Sequence, residues 1–83
     1  MRQIDPPRIN KGVYRHYKGK LYDVLDVARH SETDEWYVVY RAHDVDEGHV
    51  WVRPYHMFFE IMTLEGKTTP RFAHIRGEND SLA

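Results

Sequence analysis

A tryptophan and an arginine stand two positions apart in the stretch "VWVRPY", residues 50–55. Side chains of a strand alternate between its two faces, so Trp51 and Arg53 share one face. Tryptophan offers a large, stiff contact area with one N–H donor, and arginine offers a planar fork for a carboxylate or phosphate. This spacing predicts an outward-facing recognition surface for a peptide or small anionic ligand, with Val50 and Val52 turned toward the core.

The same pair is compatible with a packing role. Trp51 could lie across the sheet as a lid for one chain terminus, and Arg53 could stack on a ring or pair with a carboxylate. Pro54 is expected to end the strand, and Tyr55 would extend a recognition surface beyond it. A Trp51→Ala variant separates the two roles, because a recognition residue can be removed without lowering the thermal transition of the fold.

A second stretch, "HSETDE", places His30 among several carboxylates. Such a group could form an acid/base pair or an oxygen-rich metal loop, and a nitrogen–oxygen site would need His16 to converge with His30. The spacing matches no metal-ligand signature, so we predict no metal and no cofactor. We expect His30 and Glu32 to contact a ligand. Two alternatives stay open: a solvated hairpin tip, and a small enzyme using His30 with Glu32 or Glu35.

The segment "YRHYKG" interleaves basic and aromatic side chains, among them Tyr14 and His16. Bases can stack on such rings while cations meet phosphates, so single-stranded nucleic-acid binding is a further alternative. An amphipathic edge strand with its cations reaching into solvent explains the same pattern. We therefore include Tyr14 and His16 in the predicted contact face, without favouring nucleic acid as the partner.

The composition limits the possible functions. The chain has 83 residues, 12 lysines and arginines against 13 aspartates and glutamates, and no cysteine. The net charge of −1 shows no excess of basic residues of the kind typical of surfaces that bind nucleic-acid phosphates. The chain shows no signal peptide and no apolar run long enough to cross a membrane, so we expect a cytoplasmic protein with no membrane partner. No nucleophile elbow or glycine-rich phosphate loop is present, which argues against catalysis and leaves no predicted catalytic residue.

The periodicity predicts an all-β protein. Five short strands alternate with turn signals, and one tight 3₁₀ turn is expected after Pro54. Gly19 supplies the positive φ of the first hairpin turn, and a bulge near Leu25–Asp26 accounts for a strand that is apolar on both faces. This pattern predicts a five-stranded SH3-like barrel from residue 12 to 73, an extended N-terminal arm over residues 1–11 and a flexible C-terminal tail over residues 74–83. The predicted strands lie in "GVYRHYKG", "KLYDVLDVARH", "EWYVVYRA", "HVWVR" and "FEIMTL".

A series of ordered matches between residues 12 and 72 carries a family resemblance. They are Gly12, Tyr14-Arg15-His16-Tyr17-Lys18-Gly19, Tyr22-x-Val24, Ala28-x-His30-Ser31-Glu32-Thr33, Val38-Val39-Tyr40, Trp51-Val52-Arg53-Pro54, Met57-Phe58 and Pro70-Arg71-Phe72. The chain resembles the small bacterial family catalogued as domain of unknown function 1653. That resemblance implies an SH3-like barrel in the bacterial cytosol and implies no activity. The chain departs from the family at "HDVDEGH", where an aromatic-Gly turn is usual.

Together these observations predict a non-enzymatic binding module whose partner is a peptide segment, another protein or a small anionic molecule. The composition does not determine an oligomeric state. The predicted ligand-contacting residues are Trp51, Arg53, Tyr14, His16, His30, Glu32 and Tyr55.

Overall fold

A computed structural model describes residues 6–45 and 48–77 of the chain. Within these ranges the chain forms seven strands and one short helix, which confirms the all-β prediction. In chain order the elements are β1 (Gly12–His16), β2 (Leu21–Arg29), β3 (Trp36–Ala42), β4 (Val50–Pro54), α1 (Tyr55–Phe58), β5 (Ile61–Leu64), β6 (Lys67–Pro70) and β7 (Phe72–Gly77). The described residues contain no helix that is long and apolar enough to cross a membrane.

The strands form an open sheet and a separate hairpin. The main sheet has the order β4-β3-β2-β1-β7, and β5 pairs only with β6. The prediction of a closed five-stranded barrel is therefore not confirmed, because the described residues do not link β4 to β7 by a strand ladder. The strand predicted in "FEIMTL" is present as β5, but β7 takes the fifth place in the main sheet. The main sheet is curled, since Arg53 of β4 reaches the ring of Phe72 of β7.

A bulge in β2 changes which residues of that strand face the core. The pairing between β2 and β3 shifts register between Val24 and Asp26, which confirms the predicted bulge at Leu25–Asp26. Before the shift Val24 pairs with Tyr40, and after it Val27 pairs with Val38. The extra residue lets β2 place both Val24 and Val27 on the core face.

The core is aromatic and centred on the short helix. Phe58 stacks flat on Phe72, with ring centroids 4.0 Å apart and an interplanar angle of 4°. Tyr14 and Tyr40 meet Phe58 edge-on, at centroid distances of 5.5 and 5.3 Å. Such ring pairs stabilise a small fold beyond the area they bury. The buried cluster consists of Tyr14, Val24, Val38, Tyr40, Phe58 and Phe72.

The turn after Pro54 is a single turn of α-helix and not the predicted 3₁₀ turn. The amide of Phe59 donates to the carbonyl of Tyr55, four residues earlier, at 3.2 Å. Pro54 precedes the helix as its N-cap residue and forms the last residue of β4. The proline therefore ends the strand and orients the turn that carries Phe58 into the core.

The N-terminal arm packs on the chain's own sheet from residue 6 onward. The Tyr14 hydroxyl donates to the Asn10 carbonyl at 2.6 Å, the Tyr55 hydroxyl donates to the Arg8 carbonyl at 3.4 Å, and Ile9 packs against the core. Residues 1–5 of the predicted arm lie outside the described residues, as do residues 78–83 of the predicted tail. Residues 74–77, also assigned to the tail, belong to β7, so the strand corrects that boundary.

The β1–β2 hairpin depends on Gly19, whose φ of +107° confirms the predicted turn residue. A Cβ added at Gly19 would meet nothing within 4 Å, so a substitution there would act through the backbone alone. We expect Gly19→Ala to lower the free energy of unfolding by about 1–3 kcal/mol, because residues with a Cβ rarely adopt this conformation. Chemical denaturation measures the change.

Gly48→Ala is the matched control for Gly19→Ala. The φ of Gly48 lies outside the positive region, and an added Cβ would make ordinary contacts of 3.6 Å with Val45. We therefore expect Gly48→Ala to change stability by less than about 0.5 kcal/mol, or to stabilise slightly. Equal losses in the two variants would contradict a conformational role specific to Gly19.

Candidate functional site

The register of β4 reverses the predicted orientation of its side chains. Trp51 pairs with Tyr40 and Arg53 pairs with Val38, so both lie on the face of the sheet that carries the buried core. Val52 pairs with Val39 on the outer face, where it is 58% exposed. The predicted grouping of Trp51 with Arg53 is correct, but the prediction that Val50 and Val52 face the core is wrong. Antiparallel pairing with β3 determines the faces of β4, and its own apolar pattern does not.

Arg53 lies half-buried at the rim of the aromatic core. Its Cζ is 5.9 Å from the centroid of the Phe72 ring, and its Nε is 3.5 Å from the Tyr40 hydroxyl, to which it donates. The ion pairs among the described residues join other side chains, so none of those residues provides a carboxylate for Arg53. Two aromatic side chains therefore orient the guanidinium.

Trp51 extends this rim toward solvent. The indole is 54% exposed, and its ring contact is with His49, at a centroid distance of 6.1 Å. The described part of the arm passes over Tyr14 and Tyr55 instead. The structure therefore gives no support to the interpretation of Trp51 as a lid for that arm.

His16 lies close to the same cations. Its ring contacts Phe72 edge-on at a centroid distance of 4.9 Å, and its Nδ1 accepts the Lys18 backbone N–H at 3.1 Å. Burial lowers the pKa of His16, and the positive charges of Arg71, Lys18 and Arg53 lower it further. Several cations thus act on one half-buried imidazole, which is the electrostatic condition for attracting an anion.

Two lysines lie over neighbouring tyrosine rings. Lys18 lies over the Tyr17 ring at 5.8 Å and Lys20 lies over the Tyr22 ring at 5.7 Å. Of the nearby cations, Arg71 is already paired with Glu60 at 2.8 Å. We call the combined surface the aromatic–cation face. It consists of His16, Lys18, Lys20, Tyr22, Tyr40, Trp51, Arg53 and Phe72.

Two predicted contact residues belong to packing instead. Tyr14 is 2% exposed, and burial together with the nearby Tyr55 raises the pKa of its hydroxyl, which donates to the Asn10 carbonyl. Tyr55 is half-buried against the core, and its hydroxyl donates to the Arg8 carbonyl. The structure therefore corrects the assignment of Tyr14 to a contact face, and it places Tyr55 beneath the arm.

His30 and Glu32 lie at the other end of β2, in the turn before β3. His16 precedes the start of β2 and His30 follows its end, so nine strand residues separate them, on the order of 30 Å. The two histidines do not converge. The Nδ1 of His30 accepts the backbone N–H groups of Glu32 and Thr33, each at 3.1 Å. His30 therefore organises a hairpin tip, as the alternative interpretation predicted.

The proposed acid/base grouping around His30 is not formed. Glu35 accepts a hydrogen bond from the Thr33 hydroxyl at 3.3 Å, and Asp34 pairs with Arg29 at 3.5 Å. No group of three or more His, Asp or Glu side chains in residues 6–45 and 48–77 is placed to hold a metal ion. These contacts give an enzyme based on His30 no geometric support.

The sequence did not predict a polar pair that lies on the outer face of the sheet. The Nδ1 of His43 lies 2.7 Å from Oδ1 of Asp23, across twenty residues of sequence. The pair borders a notch of about 330 Å³ whose lining includes Val13 and Arg76. No sequence motif links these residues. Only the β2–β3 register, which sets Asp23 opposite Arg41, brings Asp23 near the end of β3 where His43 follows.

The comparison with known families identifies the chain. The family described as "Protein of unknown function (DUF1653)" matches residues 12–74. The chain belongs to this family. The match covers β1 to β6, the helix and the start of β7, so the DUF1653 region includes both the core and the aromatic–cation face.

A solved structure supports the assignment. A DUF1653 protein from Bordetella bronchiseptica, known from its crystal structure, is 35% identical and has a TM-score of 0.74. The alignment covers 88% of this chain and 95% of that chain. None of the curated proteins compared with the chain matches it. The family resemblance inferred from the sequence is thereby confirmed, and membership in DUF1653 specifies no ligand.

The lowered pKa of His16 predicts a pH dependence of stability. In the unfolded chain the imidazole titrates near ~6.5, and in the folded chain it titrates lower. As the pH falls below ~6.5, the unfolded state takes up the proton first, so His16's contribution to stability is complete above that pH and decreases below it. We expect His16→Gln to lose less stability than the wild-type protein as the pH falls, because glutamine takes up no proton. Chemical denaturation of both proteins at about pH 7.5 and about pH 5 measures it.

The imidazole resonances provide a direct control. An NMR titration assigns the folded pKa of His16 separately. A folded pKa at or above the ordinary value, or an unchanged pH dependence in His16→Gln, would contradict the electrostatic description of this face.

Proposed function

We propose that this DUF1653 protein is a non-enzymatic binding module that recognises an anionic ligand, either a peptide segment or a small molecule, through the aromatic–cation face. The proposal depends on one observation above the others. Arg53 is half-buried against Phe72 and Tyr40, and no described residue gives its guanidinium a carboxylate partner. An arginine oriented by two rings, beside an exposed tryptophan and without a carboxylate partner among the described residues, is suited to bind carboxylate or phosphate.

The charge distribution supports the same proposal. The whole chain has a net charge of −1, yet on the aromatic–cation face the charges of Lys18 and Arg53 act on His16, and Lys20 lies over the Tyr22 ring. A ligand with negative charge would be drawn to this side of an otherwise near-neutral protein. An SH3-like barrel remains part of the proposal, since such a fold presents an aromatic groove to ligands. A cytoplasmic location also remains part of it, because a small domain without cysteine suits a reducing compartment.

Calorimetric titration tests the proposed function. The probes are hexaglutamate, inorganic phosphate and a short oligothymidylate, with hexalysine as the oppositely charged control. We expect at least one anionic probe to bind and hexalysine not to bind. Binding should tighten as the pH falls through the pKa of His16, because the protonated imidazole adds a positive charge to the face.

The outcomes of that titration separate the candidate ligands. Lysines over the rings of Tyr17 and Tyr22 also suit stacked bases, so binding of oligothymidylate alone, with a steep salt dependence, would favour single-stranded nucleic acid. Absence of binding by all three anionic probes, or equal binding of hexalysine, would refute the proposed function.

A further inference from the structure

The first three residues of β4 form a strand edge that no other described strand covers. In the described sheet β4 is terminal, and only β3 pairs with it. Three consecutive side chains are exposed there: Val50 at 55%, Trp51 at 54% and Val52 at 58%. Natural edge strands are usually blocked by lysines, bulges, prolines or inward-pointing charges. In β4 the inward-facing charge Arg53 and the proline Pro54 both lie at the C-terminal end, so residues 50–52 form the open part of the edge.

We propose that β4 binds an extended acidic peptide segment of a partner protein by strand addition. This inference rests on the proposed function, because it uses Arg53 as the anion-binding group. The added strand would pair with the open edge of β4 through main-chain hydrogen bonds, and its side chains would alternate between the two faces of the sheet.

The two faces beside β4 determine the chemistry of the segment. On the core side, added side chains would lie beside Trp51 and Arg53, where the unpaired guanidinium favours glutamate or aspartate. On the outer side they would lie beside Val50 and Val52. A matching peptide therefore alternates acidic and apolar residues.

An apolar groove continues the outer side. It has a volume of about 400 Å³ and is lined by Ala28, Arg29, His30, Tyr37 and Val52. A bulky apolar side chain of the segment, placed opposite Val52, would enter this groove. His30 would then contact the ligand from the outer side, although it lies apart from the aromatic–cation face.

The position of Pro54 indicates which backbone groups of β4 are open. Proline is tolerated in an edge strand where its missing N–H would have faced solvent. Because backbone groups alternate in direction along a strand, the same outward direction applies to the N–H and C=O of Val52. Val52 is thus the main-chain anchor of the added strand.

The experiment uses a peptide that alternates valine and glutamate, acetyl-Val-Glu-Val-Glu-Val-amide, titrated into the full chain by calorimetry. Two further peptides keep every side chain, but one carries N-methyl groups on its glutamate amides and the other on its valine amides. Strand addition requires the N–H groups of one of these two sets. We therefore expect one methylated peptide to bind at least about tenfold more weakly than the parent.

Variants test the protein side of the same contact. Val52→Pro removes the outward N–H and should weaken binding by about tenfold, whereas Val52→Ala keeps the N–H and should lose much less. The peptide acetyl-Glu-Glu-Val-Val-Val-amide has the same composition without the alternation and should bind more weakly. Circular dichroism verifies the fold of each variant, and the methylated peptides need no change to the protein.

The results distinguish this inference from the proposed function. Strand addition is refuted if both methylated peptides bind as tightly as the parent. If Arg53→Ala abolishes binding in the same experiment, the proposed anion binding at Arg53 is still supported. If the parent peptide, hexaglutamate and phosphate all fail to bind, both are refuted. Loss of binding in one methylated peptide and in Val52→Pro supports strand addition at β4.

Discussion

Replacing Arg53 by alanine is expected to weaken binding of an anionic probe by about tenfold to a hundredfold while the protein stays folded. A hydrogen bond to a charged group contributes roughly 1.5–3 kcal/mol, and Arg53 contacts two core rings without a carboxylate partner among the described residues. Its removal takes away the charge and the planar fork together. Calorimetry with hexaglutamate, before and after substitution, measures the loss.

Arg15→Ala is the matched control, because Arg15 is an exposed arginine of β1 next in sequence to His16. Both substitutions change the net charge by one unit, so a general electrostatic effect would be the same in each. Arg53→Lys should lie between the wild type and Arg53→Ala, since lysine keeps the charge without the fork. Equal losses in Arg15→Ala and Arg53→Ala would mean that Arg53 forms no specific site.

Replacing Phe58 by alanine is expected to lower the free energy of unfolding by about 3–5 kcal/mol. Phe58 is 0% exposed and is surrounded by the rings of Tyr14, Tyr40 and Phe72. Small domains have a total stability of roughly 5–15 kcal/mol, so this one ring supports a large share of it. Urea denaturation followed by far-ultraviolet circular dichroism measures the change.

Met57→Ala provides the comparison within the same helical turn. Met57 is 38% exposed, so its truncation removes little buried surface and should cost less than about 1 kcal/mol. A similar loss of stability in both variants would show that the single turn, and not the aromatic stack, is what the substitutions disturb. The Phe58→Ala variant should also weaken anion binding, because Phe72 lies between Phe58 and Arg53.

Features governed by local chemistry could be predicted from the sequence. Gly19 has the positive φ that its turn requires, and the β2 bulge occurs where a strand with two apolar faces needs one. The predicted strand in "FEIMTL" ends at the turn residues Glu65 and Gly66, both with positive φ, whereas the pairing of β5 with β6 was not predicted. Each of these features depends on neighbouring residues and leaves a direct signal in the sequence.

Features governed by pairing between distant strands could not be predicted. In "VWVR" both faces carry apolar side chains, so alternation groups Trp51 with Arg53 but does not say which group faces the core. Val38 and Tyr40 of β3 decide it. β7 was not predicted for a similar reason. In "FAHIRG" apolar and polar side chains do not alternate regularly, and the segment becomes a strand by pairing with β1, which is distant in sequence.

The most direct test of the aromatic–cation face is a two-dimensional ¹H–¹⁵N NMR titration with hexaglutamate. It follows the side-chain Nε–H of Arg53 and the indole N–H of Trp51, with the Nε–H of Arg15 and Arg76 as references elsewhere on the protein. We predict that the Arg53 and Trp51 signals shift together and saturably while the references stay in place. Shifts confined to the references, or no shift of Arg53 at saturating peptide, would contradict the account.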